Sequence, residues 1–208
     1  MTRVIAGAAG GRRLAVLHGT VTRPTSDRAR EGLFASVLSE IGSLDGKRVL
    51  DLYAGSGAVG LEALSRGARH VLLVESDARA AAVIKANIAA VGIAGAAVVT
   101  DRVERLLSRP QADRQGAPFG YDLAFADPPY AVSAAAVTRV LTLLATGWLT
   151  AGALVVVERA TRSGPLDWPP GYLPGKSRRY GEATFWYGRH GSGMAAAQTP
   201  HNGAPAGA

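Results

Sequence analysis

The chain has 208 residues, 48% of them hydrophobic, and a formal net charge of +7. That length fits one domain with a sizeable core, and no apolar run approaches the ~20 residues of a membrane-spanning helix. The absence of cysteine excludes disulfides, thiolate metal sites and cysteine nucleophiles, and the few histidines have no metal-site spacing, so no metal is expected.

The charge is unevenly spread. Residues 1–26 contain no acidic side chain but hold Arg3, Arg12, Arg13 and Arg23. A second basic group, Lys176, Arg178 and Arg179, lies near the other end. Two basic segments around a balanced middle suit a polyanionic partner. The first residues lack the charge-bounded apolar stretch of a signal peptide, which predicts a soluble, cytoplasmic protein.

Residues 1–21 alternate short apolar pieces with glycine and read as a β-hairpin or extended arm, with Arg12 and Arg13 at its turn. Arg23-Pro24-Thr25-Ser26-Asp27-Arg28 then opens a helix, with Ser26 or Asp27 as its N-cap. Leu33, Phe34, Val37, Leu38 and Ile41 share one face of it. Gly42 and Asp45-Gly46 turn the chain.

Residues 49–52 form a buried strand that runs into Gly55, Gly57 and Gly60, a complete G-x-G-x-x-G. That pattern alone is weak, but here a strand precedes it, a helix through Arg66 follows, and Glu75 ends the next strand, 71–74. Glu75 stands at the spacing where a carboxylate meets ribose hydroxyls. A dinucleotide would set a pyrophosphate on the helix N-terminus. Asp51, just before the glycines, repels a pyrophosphate and suits the cationic methionyl head of S-adenosylmethionine.

Residues 78–91 read as a helix stopped by Gly92, with Lys85 and Asn87 on its solvated face. A third strand, 97–99, leads into Thr100-Asp101-Arg102-Val103, with the Asp101 carboxylate at its tip. A helix over 102–108 and a surface loop over 109–120 follow. The fourth strand, 121–126, ends at Asp127-Pro128-Pro129-Tyr130. Residues 134–145 are helical, 154–157 make a fifth strand ending at Glu158, 164–175 are irregular, and 180–187 belong to a closing hairpin. Trp148 and Trp186 are packing residues, and the tail from residue 191 has too little apolar surface to order itself.

Two prolines end the fourth strand and leave a carboxylate and an aromatic ring at its carboxyl end, where open α/β sheets bind ligands. This trio suits methylation of an exocyclic amine on a base. A carboxylate and a backbone carbonyl accept the two N–H bonds, and the ring stacks on the base. An (Asn/Asp)-Pro-Pro-(Tyr/Phe) tetrapeptide resembles the active-site motif of S-adenosylmethionine-dependent amino-methyltransferases acting on adenine, guanine N2 or a glutamine amide.

Taken whole, the chain resembles the RsmD family, which methylates guanine N2 of 16S ribosomal RNA. The similarity is carried by Arg3-Val4-Ile5-Ala6-Gly7, Arg12-Arg13-Leu14, residues 23–31, residues 51–57, residues 60–67 and Asp127-Pro128-Pro129-Tyr130. It implies an α/β Rossmann-like methyltransferase fold: a doubly wound, mostly parallel sheet with a C-terminal antiparallel hairpin and an N-terminal β-hairpin arm. It further implies that Asp51, Tyr53, Ala54, Gly55, Ser56, Gly57, Glu75 and Ser76 hold S-adenosylmethionine, which leaves as S-adenosylhomocysteine. Arg23, Pro24 and Thr25 pack over the donor. Asp101, Arg102 and Val103 meet its adenine, and Asp127 borders both ligands. Aligned on Leu106-Leu107, Arg102 rather than Asp101 falls where relatives carry Asp or Asn.

By the same resemblance Asp127, Pro128, Pro129 and Tyr130 are catalytic, and Arg3, Arg12, Arg13, Arg23, Arg28, Lys176, Arg178 and Arg179 face RNA. The expected partners are 16S rRNA in the small subunit or its assembly intermediate and nearby ribosomal proteins, with the enzyme a monomer. The expected units are an arm over 1–22, a methyltransferase domain over 23–189 and a disordered tail over 190–208. The rival readings are adenine or glutamine as acceptor, an RNA-binding module without turnover, and a nicotinamide dehydrogenase.

Overall fold

The computed structural model describes residues 2–17, 27–109 and 120–191 of the chain. The expectations for Arg23, Pro24, Thr25 and Ser26, for most of the 109–120 loop and for the tail lie outside these residues. Among them, no helix is long and apolar enough to cross a membrane.

Strands β1 (Thr2–Arg3) and β2 (Arg13–Leu14) pair antiparallel. The central sheet contains β3 (Arg48–Leu52), β4 (His70–Glu75), β5 (Ala96–Thr100), β6 (Tyr121–Ala126), β7 (Leu149–Ala160), β8 (Tyr172–Tyr180) and β9 (Ala183–His190). Its order is β5-β4-β3-β6-β7-β9-β8. The first five strands in that order run parallel, and β9 and β8 close the sheet antiparallel. The helices are α1 (Asp27–Ile41), α2 (Ala58–Ser65), α3 (Ala78–Val91), α4 (Val103–Leu107) and α5 (Ala134–Ala145).

The near-continuous apolar runs of β3, β4, β6 and β7 are those of strands covered on both faces. One face carries Leu50, Leu52, Val74, Ala124, Ala126 and Val155 against Leu106 of α4 and Val137, Val140 and Leu141 of α5. The other carries Val49, Leu73, Leu123, Phe125 and Val156 against Leu33, Phe34 and Val37 of α1, Ala63 and Leu64 of α2, and Ile84 of α3. Two covered faces make the sheet doubly wound. The chain leaves β3 toward β4 and β5 on one side and returns through β6 and β7 on the other. The switch point, where such sheets bind ligands, therefore lies between the tips of β3 and β6.

Several boundaries depart from the sequence expectation. β7 starts five residues before the predicted 154, and a register shift between Tyr121 and Leu123 absorbs its early residues. β8 takes in residues 172–175, the end of a stretch expected to be irregular. As the sheet's edge it tolerates Pro174, where its register shifts. The closing hairpin turns at Gly181 and Glu182, so Tyr180 ends β8 rather than opening β9. The boundary expected at residue 189 falls inside β9, which runs to His190. Trp148 is fully buried in the core, as a packing residue should be.

The arm is shorter in strand than predicted and firmly seated. Val4, Ala9 and Leu14 are buried with Leu61 of α2 and Val91 of α3. Glu62, fully buried, accepts from the Ile5 and Ala6 amides at 2.6 and 3.0 Å and from Arg66 Nε at 2.7 Å. The turn closes over residues 7–11, before the expected Arg12 and Arg13. Arg12 Nη1 donates to the Ala90 carbonyl near the end of α3, and Arg13 lies exposed in β2.

Candidate active site

The glycine loop is shaped at both ends by Asp51. This carboxylate lies buried near the end of β3, and its Oδ2 accepts from the Gly60 amide at 2.8 Å, tying the strand tip to the first turn of α2. A Cβ on Gly60 would meet Asp51 Oδ2 and the Val71 side chain, each at 2.9 Å, so glycine lets α2 lie close on the sheet. Tyr53, at φ 60°, is the one non-glycine with positive φ among the described residues. Backbone held in that region costs about 1–3 kcal/mol and collects at binding sites. Its phenol donates weakly to Glu104 Oε1 at 3.4 Å.

Glu75 ends β4 and reaches across to this loop. Its Oε2 accepts from the Gly55 amide at 2.9 Å and its Oε1 from the Asp77 amide at 2.8 Å. Ser76 follows it, exposed. The Ala54 amide donates to the Val74 carbonyl at 3.0 Å, which pins the loop to the neighbouring strand.

The tetrapeptide occupies the adjoining tip. Leu52 of β3 stands opposite Ala126 of β6 in parallel register, so Asp127 follows directly beside the start of the glycine loop. The Asp127 amide points toward the Leu52 carbonyl at 3.4 Å. Pro128 is buried and Pro129 exposed, and the Pro129 carbonyl accepts from the Val132 amide at 2.8 Å. Among the described residues, the Pro128 carbonyl makes no hydrogen bond. Tyr130 is 58% exposed, one of two large hydrophobic side chains so open among the described residues. Its ring faces a cavity of about 360 Å³ lined also by Ala160, Thr161, Arg162, Arg179 and Glu182.

Four carboxylates meet along this crevice: Asp51, Glu75, Asp127 and Glu158. Glu158 follows Val157, which pairs with Ala126, and so lies beside Asp127. Burial, opposed by the Gly60 amide and reinforced by Glu75, raises the Asp51 carboxyl from its ordinary 3.8 to about 7. Asp127 is open to solvent on one side but walled by protein on the others. Desolvation there, then the charges of Glu158 and Asp51, holds its carboxyl well above the usual range. Tyr130 is raised by the same causes, desolvation first and then Asp127. Such a crevice calls for a cation. S-adenosylmethionine carries an ammonium and a sulfonium, and Glu75 has a carboxylate beside the loop for ribose hydroxyls. The residues present therefore fit this donor.

Other expected residues are placed differently. Asp101 is buried and committed: its carboxylate pairs with Arg105 at 2.9 Å and Arg109 at 2.6 Å. Arg102 precedes α4, exposed, and Val103 is buried in the core. The Asp101 carboxylate, expected at the adenine, is thus engaged by two guanidinium groups. Lys176 is paired with Glu40 at 2.9 Å and lies over the Tyr187 ring, so it is less available to RNA than predicted. Arg3, Arg28, Arg178 and Arg179 are exposed, with Arg3 near Asp27. Asn87 overturns its solvated assignment. It is buried, binds both backbone groups of Ala15 at 2.8 and 3.0 Å, and donates to the Ser56 carbonyl at 2.9 Å. Its position on α3 gave no warning, because the partner face is supplied by the arm.

A glycine loop joined to an acidic second strand tip, with the Asp127-Pro128-Pro129-Tyr130 turn one strand over, defines a Rossmann-like S-adenosylmethionine-dependent methyltransferase. Known proteins of similar sequence and structure agree. Residues 2–189 match the family model described as "Conserved hypothetical protein 95". Ribosomal RNA small subunit methyltransferase D of Haemophilus influenzae is 33% identical over 186 residues, 88% of this chain and 91% of that protein. Its Escherichia coli K12 counterpart is 35% identical over 171 residues, 80% of each chain. The solved Escherichia coli protein yhhF superposes with a TM-score of 0.77 at 29% identity, covering 92% of this chain and 99% of that one. A hypothetical protein of Thermus thermophilus gives 0.72 at 36% identity, covering 90% and 98%. The chain belongs to the RsmD family.

Proposed function

We propose that the crevice between the tips of β3 and β6 carries a methyl group to the exocyclic N2 amine of one guanine in 16S ribosomal RNA of the small subunit. S-adenosylmethionine, when bound, supplies an electrophilic methyl on its sulfonium and leaves as S-adenosylhomocysteine. Asp51 and residues 53–57 hold the cationic end of the donor, and Glu75 and Ser76 its ribose. The backbone at Asp101, Arg102 and Val103 borders its adenine. Arg23, Pro24 and Thr25 cover the bound donor.

The N2 lone pair is delocalised into the purine ring, so the amine is a poor nucleophile. The Asp127 carboxylate and the free Pro128 carbonyl accept its two N–H bonds and turn the lone pair toward the methyl carbon. Tyr130 stacks on the base once it is flipped out, a contact worth about 1–3 kcal/mol. Near-attack positioning of this kind supplies roughly 7–11 kcal/mol of the barrier. As the N–C bond forms, the nitrogen becomes cationic and its proton passes to Asp127. The raised pKa makes Asp127, once ionised beside a cationic donor, a competent acceptor.

The observation that carries this reading is the open ring of Tyr130 beside Asp127, one strand from the glycine loop. The protein works as a monomer in the cytoplasm on a small subunit or its assembly intermediate, with ribosomal proteins near the target. Residues 1–22 form the RNA-facing arm, and the methyltransferase domain runs from residue 23 through the end of β9. Arg3, Arg13, Arg23, Arg28, Arg178 and Arg179 contact the RNA, while Arg12 is held on the Ala90 carbonyl. Methyl transfer from labelled donor onto unmodified small subunits and onto naked ribosomal RNA, with the nucleoside mapped by mass spectrometry, tests the acceptor. Asp127→Ala abolishes transfer while calorimetry shows donor affinity within a few-fold of wild type. Undiminished turnover in that variant refutes the role of Asp127.

A further inference from the structure

Beyond Tyr130 the crevice continues into the cavity of about 360 Å³ lined by Ala160 at the end of β7, Thr161 and Arg162 just after it, Arg179 of β8, and Glu182 in the turn before β9. This is within the size range of small-ligand pockets, about 300–1,000 Å³. It is chemically two-sided, with one carboxylate and two guanidinium groups around an aromatic wall. The turn carrying Glu182 is fixed from below, since the Thr161 amide donates to the Glu182 carbonyl at 2.7 Å. The Arg179 Nε is likewise anchored on the Gly181 carbonyl at 2.9 Å. The glutamate side chain makes no salt bridge among the described residues and is exposed to the cavity.

We infer that Glu182 is a specificity residue that selects guanine by accepting a hydrogen bond from its N1–H. This rests on the reading of Asp127 and Tyr130 as the amine-holding site. The exocyclic amines of adenine, cytosine and guanine all offer two N–H bonds to Asp127 and Pro128, so those groups alone do not tell the bases apart. The neighbouring ring nitrogen does. It is an acceptor in adenine and cytosine, which a carboxylate repels, and an N–H donor in guanine. The guanidinium groups of Arg162 and Arg179 complete the match, because guanine presents O6 and N7 as acceptors where adenine presents an amine at position 6. A carboxylate and an arginine sharing one pocket thus fit guanine's pattern and that of no other base bearing an exocyclic amine.

The test replaces the target guanine of reconstituted small subunits with 2,6-diaminopurine. That base keeps the N2 amine but has an acceptor at N1 and a donor at position 6. The wild-type enzyme prefers guanine by about 5–150-fold in kcat/KM, the span of one correct base contact. Glu182→Ala narrows that preference by about threefold or more, while Arg162 and Arg179 still read position 6, and Glu182→Gln, whose carbonyl still accepts from N1–H, keeps much of the preference. Donor binding by calorimetry is unchanged in both variants. A Glu182→Ala enzyme that retains the wild-type ratio overturns the assignment, as does a wild type that methylates both subunits equally. If the wild type instead leaves guanine unmethylated, the reading of the crevice itself fails, independently of position 182.

Discussion

Asp51 and Tyr130 show how much of this site is set by single side chains. Asp51 is buried with its carboxyl raised from 3.8 to about 7. Between these values the native state holds a proton that the unfolded chain has released, so its contribution to stability falls as pH rises through this window and is flat above about 7. Asp51→Asn removes that dependence. Urea titrations of the donor-free protein then show the variant gaining on wild type from pH 5 to pH 8 by up to roughly 3 kcal/mol, since each tenfold difference in proton affinity is worth about 1.4 kcal/mol. The same variant binds S-adenosylmethionine more weakly, because the charge that costs stability in the free protein is the one that meets the donor's cation. An identical pH profile in both proteins contradicts the assignment. Tyr130 behaves oppositely, since its exposed ring supports nothing. Tyr130→Ala leaves the melting temperature near wild type and lowers kcat/KM by about 5–150-fold, the worth of one base stack. Tyr130→Phe restores most of it.

At the scale of elements, Asn87 links three of them. From α3 it binds the backbone of Ala15 in the arm and the Ser56 carbonyl in the glycine loop. Asn87→Ala leaves these part-buried groups to find water, at up to about 1–3 kcal/mol for each one that water does not reach. It also loosens the donor loop, so donor Kd rises several-fold and amides 13–17 exchange hydrogen faster. Unchanged exchange in the arm refutes the coupling. The sequence announced most elements and missed this bond for one reason. Strand β6, helix α3 and helix α5 are written by local periodicity and local stop signals, and their spans match the expectation. The donor loop is equally local: Asp51, Gly55, Gly57 and Glu75 occur in chain order with fixed spacing. Asn87 and Glu62 instead act on segments 72 and 57 residues away, through hydrogen bonds of 2.8 Å from the Ala15 amide and 2.6 Å from the Ile5 amide. Glu182 shares its cavity with Thr161, which reaches it from the turn that follows β7. Nothing near these residues in the chain points to those partners. The pairing of Asp101 with Arg105 of α4 and with Arg109 beyond it is equally invisible, since it exists only once the helix has formed.

For the whole molecule, the question is which of the positive charges reach RNA. The net charge of +7 overstates the footprint, since several cations are spent internally. Arg12 donates to Ala90, Arg30 is buried on Asp27 and the Arg3 carbonyl, and Lys176 and Arg189 share Glu40. Arg13 in the arm and Arg178 in β8 remain exposed at opposite ends of the chain. Arg179, next to Arg178, lines the cavity beside Tyr130, so RNA delivered to the crevice must pass β8. Each phosphate neutralised releases counterions and adds about 0.7–0.9 to the magnitude of the slope of log affinity against log salt. Replacing Arg13 and Arg178 together by glutamine weakens binding to small subunits and flattens that slope by about 1.4–1.8. Replacing Lys176 and Arg189 instead leaves the slope within about 0.5 and lowers thermal stability, because those charges serve Glu40. Filter binding across a salt series decides the matter: equal slope changes for the two pairs refute this partition of the charge, and a flattened slope confined to the first pair marks the arm and β8 as the two ends of the RNA path.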